Sequence, residues 1–288
     1  MEATFKILQD NVSFDLFNEK LTLWFFGDIH RDTNNCDVDR WKWFLKKAEE
    51  QMTPNTYFIG MGDYHDFAST KEKRFLNSDG VHEATRDRFD EMAERNNREL
   101  ASEMSFMRGH ILGLIEGNHS WKFQTGKTST DDLAERLGTK EMGWLCHYTL
   151  TCKNKGNHHS ANSVHMVLCH GKAGGKTAGI TVNQVADLKP IFPVADIYCM
   201  GHDHQRIAHP SSCLVPQKAK GGYKIKQKRQ LLCRSGTFAK TYQDNSHSYE
   251  IFRLYKPSDI GALKITIGFH RDHKDNDERI ILDLEAVI

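Results

Sequence analysis

The chain is 288 residues long and carries 39 Lys plus Arg against 38 Asp plus Glu, a formal charge of +1. Apolar residues make up 39% and charged residues 27%, the balance of a soluble globular protein. So neutral a chain does not coat nucleic acid or membranes by bulk charge. No apolar run reaches the roughly 18 residues that span a bilayer, and residues 1–10 lack the basic-then-apolar order of a secretory signal.

Seven cysteines, at 36, 146, 152, 169, 199, 213 and 233, include no CxxC pair. That excludes a disulfide scaffold and a thiolate zinc site, and it points to a reducing, cytoplasmic setting. Histidine is the unusual count, at 16. It is the commonest metal ligand, so its placement decides what the surplus means.

In chain order, short apolar runs bounded by glycine read as buried strands over Leu21–Phe26, Thr56–Met61, His110–Ile115, Val164–Cys169 and Asp196–Met200. Helical spacing separates them. Asp39 caps a helix to about Met52 with Trp41, Phe44, Leu45 and Ala48 on one face. A longer helix from His82 to Met107 carries a core stripe of Phe89, Met92, Ala93, Leu100, Met104 and Met107. Asp131–Leu137 and Val182–Lys189 are shorter helices, the second stopping before Pro190. Such alternation predicts an α/β sheet protein. Beyond residue 205 only strands are expected, over Ile207–Val215, Tyr223–Cys233, Tyr249–Tyr255, Ala262–Phe269 and Ile280–Val287. With no linker and no repeat, residues 1–288 read as one domain, with a motif-bearing part of about 21–205 and a strand-rich part of about 206–288.

Polar residues follow each of the first five strands: Gly27-Asp28-Ile29-His30, Gly62-Asp63, Gly117-Asn118-His119, His170-Gly171 and Gly201-His202-Asp203-His204. Open α/β sheets place their ligands at these carboxyl ends. A spacing of i, i+2 lets Asp28 and His30, or His202 and His204, leave an extended segment on one side. Carboxylate, imidazole and amide oxygen without thiolate suit Mn²⁺, Fe, Zn²⁺, Co²⁺ or Ni²⁺. So many candidates exceed one tetrahedral site and suit two divalent ions about 3.5–4 Å apart.

These blocks resemble the calcineurin-like metallophosphoesterase family, whose pattern runs D-x-H, GD, GNH, H and GHxH, with a weaker echo at Arg234-Ser235-Gly236-Thr237-Phe238. The resemblance implies a four-layer α/β/β/α sandwich of two facing mixed sheets with a dimetal site at the sheet edge. It puts Asp28, His30 and His204 on one metal and Asn118, His170 and His202 on the other, with Asp63 bridging; manganese is the first candidate. It makes His119 the catalytic acid and places Asp66 as its orienting partner. Ser120 departs from the pattern, since many relatives have an acidic residue there. Phe67 and Glu116 stand where the protein-phosphatase branch has arginines, which argues against that activity.

The expected function is therefore hydrolysis of a phosphoester by a metal-activated hydroxide, with a phosphodiester in a nucleic acid or nucleotide as first choice. A phosphomonoesterase is the runner-up, and a non-catalytic metal-binding scaffold a further alternative. Gly171–Thr177 imitates a phosphate loop but is one residue short, because His170 stands where its first glycine belongs. Lys172 and Lys176 within it are candidate substrate contacts. Lys218, Lys220, Lys224, Lys226, Lys228 and Arg229 form a basic run, read either as a solvated hairpin or as a contact for DNA or RNA. No membrane partner is expected.

Overall fold

The computed structural model describes residues 4–67, 76, 82–172, 177–219, 221–242, 251, 254, 256–272 and 279–287. It is an α/β protein with two mixed sheets. One has six strands: β1 (Phe5–Phe14), β5 (Leu145–Asn154), β6 (Asn157–Cys169), β7 (Ile197–Met200), β9 (Gly222–Ser235) and β8 (Arg206–Ala219), side by side in that order. The other has five: β11 (Arg279–Val287), β10 (Leu263–Asp272), β2 (Leu21–Phe26), β3 (Thr56–Gly60) and β4 (Ile111–Leu114). Four α-helices are described: α1 (Val38–Glu50), α2 (Glu83–Glu103), α3 (Ser129–Leu137) and α4 (Ala178–Ala186).

Four apolar clusters account for the packing of the described residues, the smallest joining Phe67, Ala93, Trp121 and Phe123. The largest takes side chains from both sheets, among them Leu23 and Phe25 of β2, Tyr148 of β5, Met166 of β6 and Ile265 of β10. Alternation explains how one strand serves two clusters, because successive side chains leave opposite faces. On β2, Leu21, Leu23 and Phe25 join this cluster, while Trp24 and Phe26 join a second with Trp41, Phe44, Leu45 and Ala48 of α1 and Leu133 of α3. A third cluster sets Val167, Tyr198 and Leu232 against Val185 of α4 and Leu188.

All five strands expected from apolar runs are present, as are the four helices, with shifted ends. Asp37 rather than Asp39 is the cap of α1: its carboxylate accepts from the Arg40 N–H, and Asp39 falls in the first turn. The helix expected at Val182–Lys189 begins at Ala178 and gives way to turns after Ala186. Two strands were not anticipated. β1 pairs in parallel with β5, and β5 shows a clean alternation of half-buried and buried residues. The strand expected over Tyr249–Tyr255 lies largely outside the described residues. Ile251 and Leu254, which are described, are not in a strand, and Leu254 has a φ of 52° that no strand accommodates.

The basic run lies on the β8–β9 hairpin. β9 meets β7 only over Leu231–Arg234, so within the sheet Gly222–Gln230 pairs with β8 alone. β8 is an edge strand and carries Pro210 and Pro216, which an edge tolerates. Lys228 is committed to the sheet through Asp196 at 2.9 Å and the Val194 carbonyl at 2.6 Å. Lys220 lies outside the described residues. No described helix is long and apolar enough to cross a membrane.

Trp41 is fully buried, meets Phe26, Phe44 and Phe238 in ring contacts and donates its indole N–H to Glu103 at 2.7 Å. Trp41→Ala is expected to cost about 3–5 kcal/mol in denaturant unfolding, the range for a large buried aromatic. A loss below about 1 kcal/mol would contradict this packing.

Candidate metal centre

Every candidate ligand sits just past the carboxyl end of a strand. Asp28 and His30 follow β2, Asp63 follows β3, Asn118 and His119 follow β4, His170 follows β6, and His202 and His204 follow β7. The chain must turn sharply there. Six non-glycine residues have positive φ among the described residues, and five of them are Asp28 (47°), His30 (47°), Asp63 (49°), His202 (68°) and His204 (53°). Left-handed backbone costs of order 1 kcal/mol or more per non-glycine residue and persists where surrounding structure enforces it, as at functional sites. Backbone bonds supply that enforcement. The Asp63 carbonyl accepts from the N–H groups of Ile29 (2.8 Å) and His30 (3.1 Å), and the Gly62 carbonyl accepts from that of Asp28 (2.8 Å). The Asp28 carbonyl in turn accepts from the Thr237 hydroxyl at 2.7 Å and the Phe238 N–H at 3.0 Å. Glycine is required for the close approach: a Cβ on Gly117 would overlap the Asp63 carboxylate, and one on Gly62 the His170 ring.

The decisive geometry is at His170, which is fully buried. Its Nδ1 donates to the Met61 carbonyl at 2.8 Å, the arrangement that leaves Nε2 with a lone pair. Around Nε2 stand Asp63 Oδ2 at 3.0 Å, Asn118 Oδ1 at 2.9 Å and His202 Nδ1 at 3.2 Å. One ring nitrogen cannot satisfy two oxygens and an imidazole nitrogen together. Donors each about 2.1 Å from one ion would stand roughly 3–3.5 Å apart, which is this spacing.

Two groups of carboxylates and imidazoles are placed to hold a metal ion: Asp28, Asp63, His170 and His202, and Asp28, His30 and His204. Asp28 is common to both. His30 is buried and its Nε2 has no hydrogen-bond partner. An orphaned imidazole nitrogen inside an acidic cluster is what a cation satisfies, so the residues present fit a metal ion.

The electrostatics agree. Burial pushes His30 down to about 4, so it is neutral and able to ligate. Burial also opposes charge on His170, but Asp63 and Asp28 outweigh it and raise His170 to about 9. Burial likewise opposes charge on Asp63, yet His170 and His202 hold its carboxyl well below the ordinary range. The pocket therefore attracts one positive charge, proton or metal ion, at the point where these atoms meet.

His119 Nδ1 meets Asp66 Oδ1 in the closest ion pair of the site, and a third group unites His30, Asp66 and His119. Its backbone N–H donates to Asp63 Oδ1 at 2.9 Å. Ser120 donates its hydroxyl to Glu116 at 2.9 Å. Lys172 is exposed, with its ammonium 3.5 Å from Asp187; Lys176 lies outside the described residues. His147 and His165 contact each other elsewhere on the six-stranded sheet.

Two supports escaped sequence reading. Asp32 accepts from the Asp66 N–H at 2.7 Å and so braces the partner of His119. Arg234, 1% exposed, donates to the Gly201 carbonyl and to Gln184, both at 2.6 Å, and thereby fixes the loop bearing His202 and His204. The Arg234–Phe238 motif marked this segment without revealing that role.

No protein-family model matches the chain, and no curated protein matches it. Among solved structures it is similar to a Plasmodium protein described as GAP50, the anchor in the inner membrane complex. Identity is 12%, the TM-score 0.40, and the match covers 92% of this chain and 84% of that one. At that level the likeness carries no argument about fold or function.

Purified protein is expected to retain a divalent ion. Mn²⁺ at a hundredfold excess over its Kd should stabilise it by about 2.7 kcal/mol. Asp63→Ala should abolish that gain in thermal unfolding and lower the metal content measured by elemental analysis. Equal metal content in the variant would refute the site.

Proposed function

We propose that the chain is a metal-dependent phosphoesterase of the calcineurin-like kind, acting on a phosphodiester in a nucleic acid or nucleotide. The convergence of Asp63, Asn118 and His202 on His170 Nε2 carries this reading. In it Asp28, His30 and His204 would hold one divalent ion and Asn118, His170 and His202 a second, with Asp63 as the shared carboxylate that the resemblance implies, although Asp28 is the one common to both groups here. Such ions supply Lewis acidity toward phosphoryl oxygens and acidify the attacking water. The two facing sheets would be the inner layers of an α/β/β/α sandwich with this centre at their edge.

The chain's own residues do the rest. Asp66 at His119 Nδ1 fixes the tautomer and orientation of the ring, so that Nε2 is the atom that hands a proton to the leaving oxygen. His119 bonds to Asp63 through its own N–H, which ties the acid to the metal ligands rather than to a mobile loop. The left-handed ligand residues are held by backbone bonds, so the donors are preorganised. The preference for a diester rests on the lysines of the β8–β9 hairpin, an exposed surface suited to a long polyanion. Six of the seven free cysteines are buried, which fits a reducing compartment such as the cytoplasm.

Mn²⁺-dependent hydrolysis of bis-(p-nitrophenyl) phosphate tests the reading, with p-nitrophenyl phosphate as the monoester comparison. His119→Ala should lower kcat by about 10²–10⁴-fold with metal content unchanged, the usual contribution of a general acid. Asp66→Asn should lower kcat with KM little changed, because it acts through His119. Wild-type turnover in His119→Ala would remove the proposed acid, and metal-loaded protein inert toward both esters would favour a non-catalytic scaffold.

A further inference from the structure

On the outer side of the five-stranded sheet, α1, β2 and β10 surround a hollow of about 300 Å³ that opens to solvent. Small-molecule sites span roughly 300–1,000 Å³. Trp24 of β2 lines it, with its side chain on the sheet face that packs against α1. None of the candidate metal ligands lines the hollow, although Phe238 of its lining donates its N–H to the Asp28 carbonyl.

Its lining combines cations with tryptophans. Arg40 and Lys47 stand 4.2 and 4.6 Å from the centre of the Trp43 ring, and Lys264 stands 5.3 Å from that of Trp24. Arg206 completes the set and is paired with Asp259 at 3.1 Å. No ion pair joins Arg40, Lys47 or Lys264 to a carboxylate among the described residues; Lys264 has only the neutral Gln51 amide oxygen, at 3.1 Å. Three unneutralised cations around one hollow repel one another. Burial first, and then the Lys47 charge, hold Lys264 below the ordinary lysine range.

Two donors at the hollow also lack acceptors. Trp24 is 5% exposed, and neither its indole N–H nor the Arg206 Nε–H has a hydrogen-bond partner. Buried donors without partners are uncommon and call for an acceptor. Trp43, 47% exposed, offers an aromatic surface at the rim. A ligand that satisfies all of this carries negative charge, acceptor oxygens and a planar ring.

We propose that this hollow binds a nucleotide unit, with its phosphate held by Arg40, Lys47 and Lys264 and its base stacked at Trp43. The phosphate neutralises the clustered cations through charge-assisted bonds. The base gains stacking energy that aromatic side chains supply to any nucleobase. The unit comes either from a free nucleotide or from a single strand, and the same chemistry serves both.

Full-length protein titrated with dAMP, inorganic phosphate and a single-stranded deoxyadenosine oligomer tests this, read by calorimetry and tryptophan fluorescence. Saturable dAMP binding with fluorescence change is expected, and phosphate alone should bind at least about tenfold more weakly, since it forgoes stacking. The Lys47→Glu, Lys264→Glu double variant and Trp43→Ala should each weaken dAMP at least about tenfold, the scale of one lost charged or stacking contact. Both should keep wild-type hydrolysis of bis-(p-nitrophenyl) phosphate and wild-type Tm. An oligomer that binds tighter than dAMP assigns the site to a strand, and equal affinity assigns it to a free nucleotide. Variants that bind dAMP like wild type, absence of saturable binding, or equal affinity for phosphate would each overturn the proposal. Because the hollow does not use the metal ligands, its failure leaves the phosphoesterase reading untouched.

Discussion

Lone pairs with no donors of their own govern the centre of this molecule. His170 Nε2, two oxygens and the His202 nitrogen crowd together with at most one ring proton among them. His170 itself is fully buried while His202 and Asn118 are half-buried, and a positive charge placed among these atoms relieves the crowding. The fold then has to hold four loops from two sheets against this mutual repulsion. It does so with backbone N–H groups that link one ligand loop to the next: those of Asp28 and His30 donate to the Gly62 and Asp63 carbonyls, and those of His202 and His119 donate to the Asp28 and Asp63 carboxylates.

That demand accounts for the unusual backbone. Five ligand residues occupy a left-handed conformation that few non-glycine residues adopt, and all five are aspartates or histidines, which visit it more readily than most. The strain is borne by rigid neighbours, namely buried strands whose side chains fill the space between the sheets. Glycines at 62 and 117 give the loops room to touch. Arg234, buried beneath the last loop, contributes a hydrogen bond rather than a charge partner.

The sequence was most legible where burial and chemistry coincide. An apolar run ending in Gly-Asp or Gly-Asn-His announces both a buried strand and the site at its end, and each such strand is present. Legibility failed at the margins of the sheets. β1 is an edge strand in which only Val12 and Phe14 are buried, so its pattern barely departs from a polar loop. β5 buries Cys146, Tyr148, Leu150 and Cys152 on one face, but the histidine, threonines and lysine between them dilute the apolar signal. Asp32 was hidden because its partner is a backbone N–H, which no side-chain pattern encodes. The tryptophan hollow was hidden for a related reason. Its lining comes from α1, β2, β10 and β8, which only the folded chain brings together.

His170 leaves β6 of the six-stranded sheet and bonds to Met61, which follows β3 of the five-stranded one. The centre therefore acts as a rivet through both sheets. Sliding one sheet over the other by about an ångström would leave every strand intact yet spoil a hydrogen bond that tolerates only a few tenths. Ion affinity is consequently a gauge of how the sheets are registered. Changes to interior residues far from the ligands, such as Met166 or Ile265, would register there before any loss of secondary structure.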